Sequence, residues 1–343
     1  MKLALAFCFC LATLAVVNGA ETKPRIVLIS GEYEYSSSNS LPAFARFLQT
    51  SHRFDCTYLQ RHTNDDIPGL EALDKADLAI LFIRRMTLPD EQLDHVKKFV
   101  ASGKPLIGLR TASHSFENWK EWDHEVLGGN YHMHHGNTLA TTVRVNSENA
   151  KHPILKNVAD PFESPGSLYK TSPLGPNTTL LLIGSVEGQP PEPVAWTHDY
   201  KGARVFYTSL GHPKDFENPP FRHLLVNAVF WCLGTKADMI PIVSADELEK
   251  LSNAKEAIVL DVRRPDEFAA GHIPGAINLN VQDPSFAENA QKLDKTKTYV
   301  VHCAHGKRSA QAADKLKALN FDSILDFSEG FSVWQKEGKK IEK

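Results

Sequence analysis

The chain lacks any strong excess of charge: 38 Lys and Arg stand against 41 Asp and Glu, a net of −3 in 343 residues. That balance gives no electrostatic case for a nucleic-acid partner, whose phosphates call for a basic face. Long apolar runs are missing after the first twenty residues, so no later segment approaches the roughly 20 apolar residues that a membrane-crossing helix needs. Cysteine is scarce, five in all, and this is not a disulfide framework. No internal repeat or low-complexity tract occurs. What is present is the composition of a globular protein, 42% hydrophobic and 23% charged. Its length exceeds one ordinary domain of roughly 100 to 200 residues, so two are expected.

The N-terminus is the exception to the short runs. Lys2 precedes an apolar stretch from Leu3 to Val17, then the small residues Gly19 and Ala20. This is the pattern of a secretory signal peptide over residues 1–20, with an uncleaved anchor as the alternative. Cleavage removes Cys8 and Cys10 and leaves Cys56, Cys232 and Cys303. The expected product is exported, periplasmic or extracellular, with no membrane span.

From Arg25 onward, short β-branched or apolar runs at 25–30, 54–59, 77–83 and 105–110 alternate with amphipathic segments at 41–49 and 89–101. In the second of these Leu93, Val96 and Val100 fall at helical spacing. Such alternation predicts an α/β domain, a parallel sheet covered by helices. Further runs lie at 139–145, 180–185, 194–197 and 204–210, before a helix at 221–233. A breaker at 234–241 separates a first domain, 24–235, from a second, 242–343, with a linker at 236–241. Ser244 and Glu247 form a capping box for a helix from Ala245. Strands at 257–262, 299–302 and 323–326 follow, with a helix at 309–319 turning Ala313, Leu316 and Leu319 inward.

The run TYVVHC ends in Cys303, and Ala304, His305, Gly306, Lys307 and Arg308 lead into a helix at Ser309. A tight loop at the carboxyl end of a strand turns backbone N–H groups inward as an anion nest, with the helix dipole behind them. Lys307 and Arg308 add positive charge, and Gly306 permits the positive φ that the loop needs. A thiolate is stabilised there. The plainer alternatives are a buried structural cysteine or a domain that only binds.

These residues resemble the rhodanese family from Pro241 to the C-terminus. Besides the C-x-x-G-x-R loop, LDVRRPDEFAAGHIPGAINL at 260–279 and SEGFSVWQKEG at 328–338 carry the resemblance. It implies central parallel strands flanked by helices, Cys303 as nucleophile, and the 303–308 loop with Arg308 as the anion cradle. Asp261, Arg263, Glu267 and His272 match family positions and are read as structural. The implied reaction is ping-pong: the thiolate takes the outer sulfur of thiosulfate or another persulfide donor, and the Cys303 persulfide passes it to cyanide or a thiol. No cofactor beyond that persulfide is implied. A phosphatase is the rival, but cysteine phosphatases place one more residue between Cys and Arg than the four here.

In the first domain, His114, His124, His132, His134 and His135 crowd one stretch, and Arg110 ends the fourth strand run, where an open α/β sheet places its ligands. GLRTASHSFENWKEWDHEVLGGNYHMHHG at 108–136, HPI at 152–154 and ARVFYTSLGHPKDFENPPFRHLLVNAVFWCLG at 203–234 resemble the ThuA-like (trehalose utilisation) family. The resemblance covers 24–235 and implies a flavodoxin-like fold related to class I glutamine amidotransferases. The turn at 108–112 lacks the nucleophilic cysteine of an amidotransferase, so no glutaminase is expected; Arg110 also replaces a histidine often found there. Three readings stay open for the histidines. Arg110, His114, His132, His134, His135 and His212 line a pocket for a carbohydrate derivative, with a histidine as acid or base. His132 and His134 hold a metal such as zinc. Or they are polar loop residues. Cys56 and Cys232 read as buried free thiols, with a mutual disulfide as the alternative. Trp119, Trp122, Trp196 and Trp231 read as core, or as stacking platforms for a sugar. The whole chain reads as a sulfurtransferase carrying a sugar-related domain, or as a sugar-processing protein whose second domain senses or docks.

Overall fold

A computed structural model describes residues 23–51, 54–136, 139–234, 240, 242–321 and 323–343. The leader at 1–20 and, except for residue 240, the linker at 236–241 lie outside the described residues.

The first unit is a nine-stranded sheet. Its strands are β1 (Arg25–Gly31), β2 (Asp55–Gln60), β3 (Leu78–Ile83), β4 (Leu106–Leu109), β6 (Thr141–Val145), β7 (Phe162–Ser164), β9 (Thr178–Ser185), β10 (Glu192–Tyr200) and β11 (Ala203–Thr208). Two short strands, β5 (Met133–His134) and β8 (Tyr169–Lys170), pair with each other outside it. The order across the sheet is β2-β1-β3-β4-β11-β10-β9-β6-β7.

β3 is apolar throughout, and β1 from Ile26 to Ile29, because helices cover both faces, as a parallel sheet requires. Successive residues alternate sides. Ile26 and Leu28 pack with Leu41 and Leu48 of α1 (Ser37–Ser51) and Leu224 of α3 (Pro219–Leu233). Val27 and Ile29 pack with Leu93, Val96 and Val100 of α2 (Asp90–Ala101) on the other side.

Only half the sheet follows the expected parallel plan. β2, β1, β3, β4 and β11 are parallel neighbours, whereas β11, β10, β9, β6 and β7 pair antiparallel. Parallel neighbours need a crossover of a dozen or so residues. Between β10 and β11 there are only Lys201 and Gly202, both at positive φ (53° and 84°), a two-residue hairpin turn.

The second unit is a four-stranded parallel sheet in the order β13-β12-β14-β15, from β12 (Ile258–Asp261), β13 (Ile277–Asn278), β14 (Thr298–His302) and β15 (Ser323–Phe327). Around it lie α4 (Ala245–Asn253), α5 (Pro265–Ala270), α6 (Phe286–Ala290), α7 (Lys307–Ala318) and α8 (Gly330–Lys336). The capping box forms as expected, the Ser244 hydroxyl accepting from the Glu247 N–H and the Glu247 carboxylate from the Ser244 N–H. Ala313 and Leu316 of α7 are buried, and Leu319 packs at the edge just past the helix. Among the described residues no helix is long and apolar enough to cross a membrane.

Candidate functional site

The chain leaves β14 at His302, places Cys303 at the strand end and enters α7 at Lys307. Two hydrogen bonds decide how the loop between them presents itself. The Phe331 N–H donates to the Cys303 carbonyl (2.8 Å) and the Ser332 N–H to the Ala304 carbonyl (3.3 Å). The loop carbonyls are thereby held against the start of α8. Among the described residues, the N–H groups from Ala304 to Ser309 donate to no backbone carbonyl, which leaves the donors of a nest and of a helix first turn free for an anion.

The packing that holds this loop needs glycine at two points. A Cβ on Gly306 (φ 86°) would lie 2.5 Å from the Ser328 carbonyl oxygen. One on Gly330 (φ 74°) would lie 2.5 Å from that of Ala304 and 2.6 Å from that of Cys303.

Cys303 is 2% exposed and packs with Val262, Val281 and Ala312. The sulfur therefore sits on the floor of the cradle and not at its mouth. Arg308 departs from expectation too. Its guanidinium is held by both oxygens of Glu267, at 2.6 and 2.8 Å, and that pairing brings the Glu267 carboxyl down to about 2. Glu267 thus joins the site by offsetting the arginine charge, while Arg308 stays close enough to interact with Cys303. Lys307 and His305 are exposed, the His305 Nε2 lying 3.4 Å from the Ser332 hydroxyl. Ser309 is buried and donates its hydroxyl to the Gly306 carbonyl (2.9 Å).

Asp261 and Arg263 brace the loop from behind. Both Asp261 oxygens accept from the buried Arg263 guanidinium (2.6 to 3.0 Å), which lies 4.1 Å from the Phe331 ring centroid. His272 stacks on Phe268 at 3.8 Å.

At the carboxyl end of β4 the first unit builds a second candidate site. Arg110 opens the turn with φ 45° and is buried, 1% exposed. Its guanidinium donates to the Ser209 carbonyl (2.8 Å) and the Ser167 hydroxyl (3.2 Å) and lies 4.1 and 4.7 Å from the Tyr35 and Tyr169 rings. His114 stacks on Tyr131 at 4.5 Å, and Tyr131 meets Tyr169 at 4.6 Å. Burial, reinforced by the charges of Arg84, Arg85 and Arg110, pushes His114 down to about 3, so its ring is neutral.

His134 stacks near Tyr169, at 6.1 Å. His212 caps the turn at Pro213–Glu217 and feels the Arg110 charge. The remaining two histidines are held by backbone: His132 is exposed with its ring on the Asn130 carbonyl (2.8 Å), and His135 is buried with its N–H on the Leu168 carbonyl. Among the described residues no three His, Cys, Asp or Glu side chains gather as metal ligands, so the geometry lends the His132–His134 metal reading nothing. Sequence reasoning missed Tyr35, Tyr131, Tyr169, Arg84 and Arg85.

The tryptophans and remaining thiols are packing. Trp122 and Trp196 are fully buried, donating to the Ala112 and Leu127 carbonyls (2.6 and 2.7 Å). Trp119 and Trp231 pack at the core edge. Cys56 and Cys232 are free thiols, not a disulfide. Burial, with Asp55 adding to it, pushes Cys56 up to about 12, and burial raises Cys232 as well.

Residues 25–232 match the family model described as ThuA, trehalose utilisation. The chain belongs to the ThuA family. Residues 244–337 match the rhodanese-like domain model, so a rhodanese-like domain follows the ThuA domain. That domain is homologous to thiosulfate sulfurtransferase GlpE of Shewanella oneidensis, 34% identical over 94 residues, 27% of this chain and 91% of that protein. It is 36% identical over 96 residues to the protein of the same name from Pseudomonas putida, covering 28% of this chain and 83% of that one. This homology supports a sulfurtransferase-type activity. A solved ThuA-like protein of Bacteroides uniformis shares the fold of the ThuA domain, with TM-score 0.50 at 19% identity over 64% of this chain and 95% of that one.

Two comparisons test the rhodanese-like loop. Gly330→Ala and Gly338→Ala both place a side chain at positive φ, but only the first meets the loop carbonyls. Urea unfolding should show about 1 kcal/mol lost for Gly338→Ala and at least about twice that for Gly330→Ala; equal costs would contradict the carbonyl placement. The second comparison sets wild type against Glu267→Gln. Because the folded Glu267 carboxyl titrates near 2, below its ordinary 4.5, its stabilisation is complete above the ordinary range and is lost as pH falls. The stability gap between wild type and Glu267→Gln should stay constant from neutral pH to the ordinary glutamate range and narrow below it. A gap that widened with acid would contradict the pair.

Proposed function

We propose that the rhodanese-like domain moves sulfane sulfur through a persulfide on Cys303. The observation that carries this reading is the pair of loop carbonyls, Cys303 and Ala304, taken up from behind by Phe331 and Ser332, with the loop N–H groups left free. In the first half-reaction the Cys303 thiolate attacks the outer sulfur of thiosulfate. The donor S–S bond breaks and its electron pair leaves with sulfite. In the second, cyanide or a thiolate attacks the outer persulfide sulfur, and Cys303 leaves as thiolate. No external oxidant or reductant is required. The N–H groups offset the negative charge of donor and persulfide through both steps. Arg308, already shared with Glu267, contributes less than its formal charge suggests. Homology to GlpE favours this reading over a phosphatase, as does the four-residue spacing from Cys303 to Arg308.

The ThuA domain, in the same proposal, binds a carbohydrate derivative at the carboxyl end of its parallel strands. The stacked rings of His114, Tyr131 and Tyr169 beside Arg110 favour this: flat faces for a sugar ring, and a neutral imidazole able to exchange hydrogen bonds with hydroxyls.

Thiocyanate formation from thiosulfate and cyanide separates the proposal from a domain that merely senses or docks. Cys303→Ser should fall to about one thousandth of wild type or less, and wild type should not hydrolyse p-nitrophenyl phosphate. Equal thiocyanate formation by both proteins would remove the sulfurtransfer reading.

A further inference from the structure

We propose that the ThuA domain holds a subsite for an oxyanionic group, so that its ligand is a charged sugar, carrying phosphate or carboxylate, and not a neutral one. This rests on the carbohydrate reading above. Three adjacent parallel strands, β2, β1 and β3, end side by side; β1 runs on into Glu32, but the residues just past the two strands that flank it are basic. Arg61 follows β2, and Arg84 and Arg85 follow β3. Their backbones are fixed by the sheet: the Arg61 N–H donates to the Ser30 carbonyl (2.8 Å), the Arg84 N–H to that of Gly31 (3.1 Å) and the Arg85 N–H to that of His114 (2.7 Å). With Tyr33, Glu34 and Asn64 these arginines line a cleft of about 490 Å³. It adjoins the site at Arg110 and His114, since the Arg85 N–H donates to the His114 carbonyl and the charges of Arg84, Arg85 and Arg110 all bear on the His114 ring.

The local charges do not cancel. Glu34 pairs with Arg84 at 3.0 Å. Glu32 is buried and spends its two oxygens on the Tyr35 and Ser37 N–H groups (2.6 and 2.7 Å). Asp215 acts on Arg110 from its own cap, where it accepts from the Gly211 and His212 N–H groups. Among the described residues no carboxylate forms an ion pair with Arg61, Arg85 or Arg110. Positive charge in a walled cleft draws an anion, and the field there is less screened than on an open surface.

The guanidiniums are also pre-set. Arg61 lies 3.9 Å from the Tyr33 ring centroid while Arg110 stacks between Tyr35 and Tyr169. The Arg61 Nε is buried without a partner. The Arg61 fork is itself held by the Gly31 carbonyl (3.1 Å) and the Asn64 side-chain oxygen, and the Arg110 fork by Ser209 and Ser167, so these two fix positive charge in place; an unoccupied fork beside them suits the oxygens of phosphate or carboxylate. Arg85, exposed at φ 47° on the lining of the cleft, presents such a fork from the solvent side.

Calorimetric titration of the full chain with glucose, glucose 6-phosphate, glucuronate and inorganic phosphate tests this, with Arg85→Ala alongside. One or both charged sugars should bind about tenfold or more tightly than glucose, and Arg85→Ala should weaken that binding about tenfold. Preference between the two identifies phosphate or carboxylate as the group recognised. If glucose binds as tightly as both charged sugars, the subsite is overturned while the carbohydrate reading stands. If inorganic phosphate binds, is weakened by Arg85→Ala and gains nothing from an attached sugar, the anion subsite stands and the carbohydrate reading falls. If none of the four binds, both fall.

Discussion

A peptide loop carries as many carbonyls as N–H groups, so a loop meant to receive an anion must first turn its carbonyls away. In the rhodanese-like domain two hydrogen bonds do this, from the N–H groups of Phe331 and Ser332 to the carbonyls of Cys303 and Ala304. Much of the surrounding structure serves those bonds. Gly330 lets α8 start within touching distance of the loop. Arg263, pinned by Asp261 in the buried sheet, packs over Phe331 and fixes the helix that donates them. Breaking such a buried pair by removing one partner is costly, because the other charge is left buried and uncompensated. The Arg308–Glu267 pair then sets how much side-chain charge is added to the backbone donors.

Both candidate sites lie beyond the carboxyl ends of parallel strands, where chain ends and helix starts converge. They use that position differently. Around Cys303 the positive potential comes from backbone N–H groups, compact enough to surround one sulfur. In the ThuA domain it comes from guanidiniums at several strand ends, which line a wider cleft. Arg110 occupies the sharp turn after β4, and its buried side chain stacks on Tyr35 and Tyr169.

The cysteine loop was legible in the sequence because all of it is contiguous from Cys303 to Ser309, and its strand and helix have clear periodicity. The Ser244 cap was legible for the same reason. What the loop rests on was not: Glu267 stands 41 residues from Arg308, and nothing local announces that Gly330 touches Ala304. The burial of Cys303 was hidden too, since a strand-end residue is as readily exposed. In the ThuA domain the histidine-rich stretch drew attention by its density, but extended backbone sends neighbours to opposite sides. His134 therefore reaches Tyr169 while His135 turns into the core. The arginines escaped notice because each simply follows a strand end, and only the order β2-β1-β3 brings them together. The antiparallel half of the sheet was set by a two-residue turn, Lys201–Gly202, shorter than any helical crossover.

The central claim is that the Cys303 sulfur carries a second sulfur. Incubating the full chain with thiosulfate, then locating added mass by peptide mapping, tests it directly. Cys303 should gain the mass of one sulfur atom and lose it on adding cyanide, while Cys56 and Cys232, whose burial keeps them protonated, stay unchanged. An unmodified Cys303, or sulfur appearing on either of the other two thiols in its place, would contradict the account.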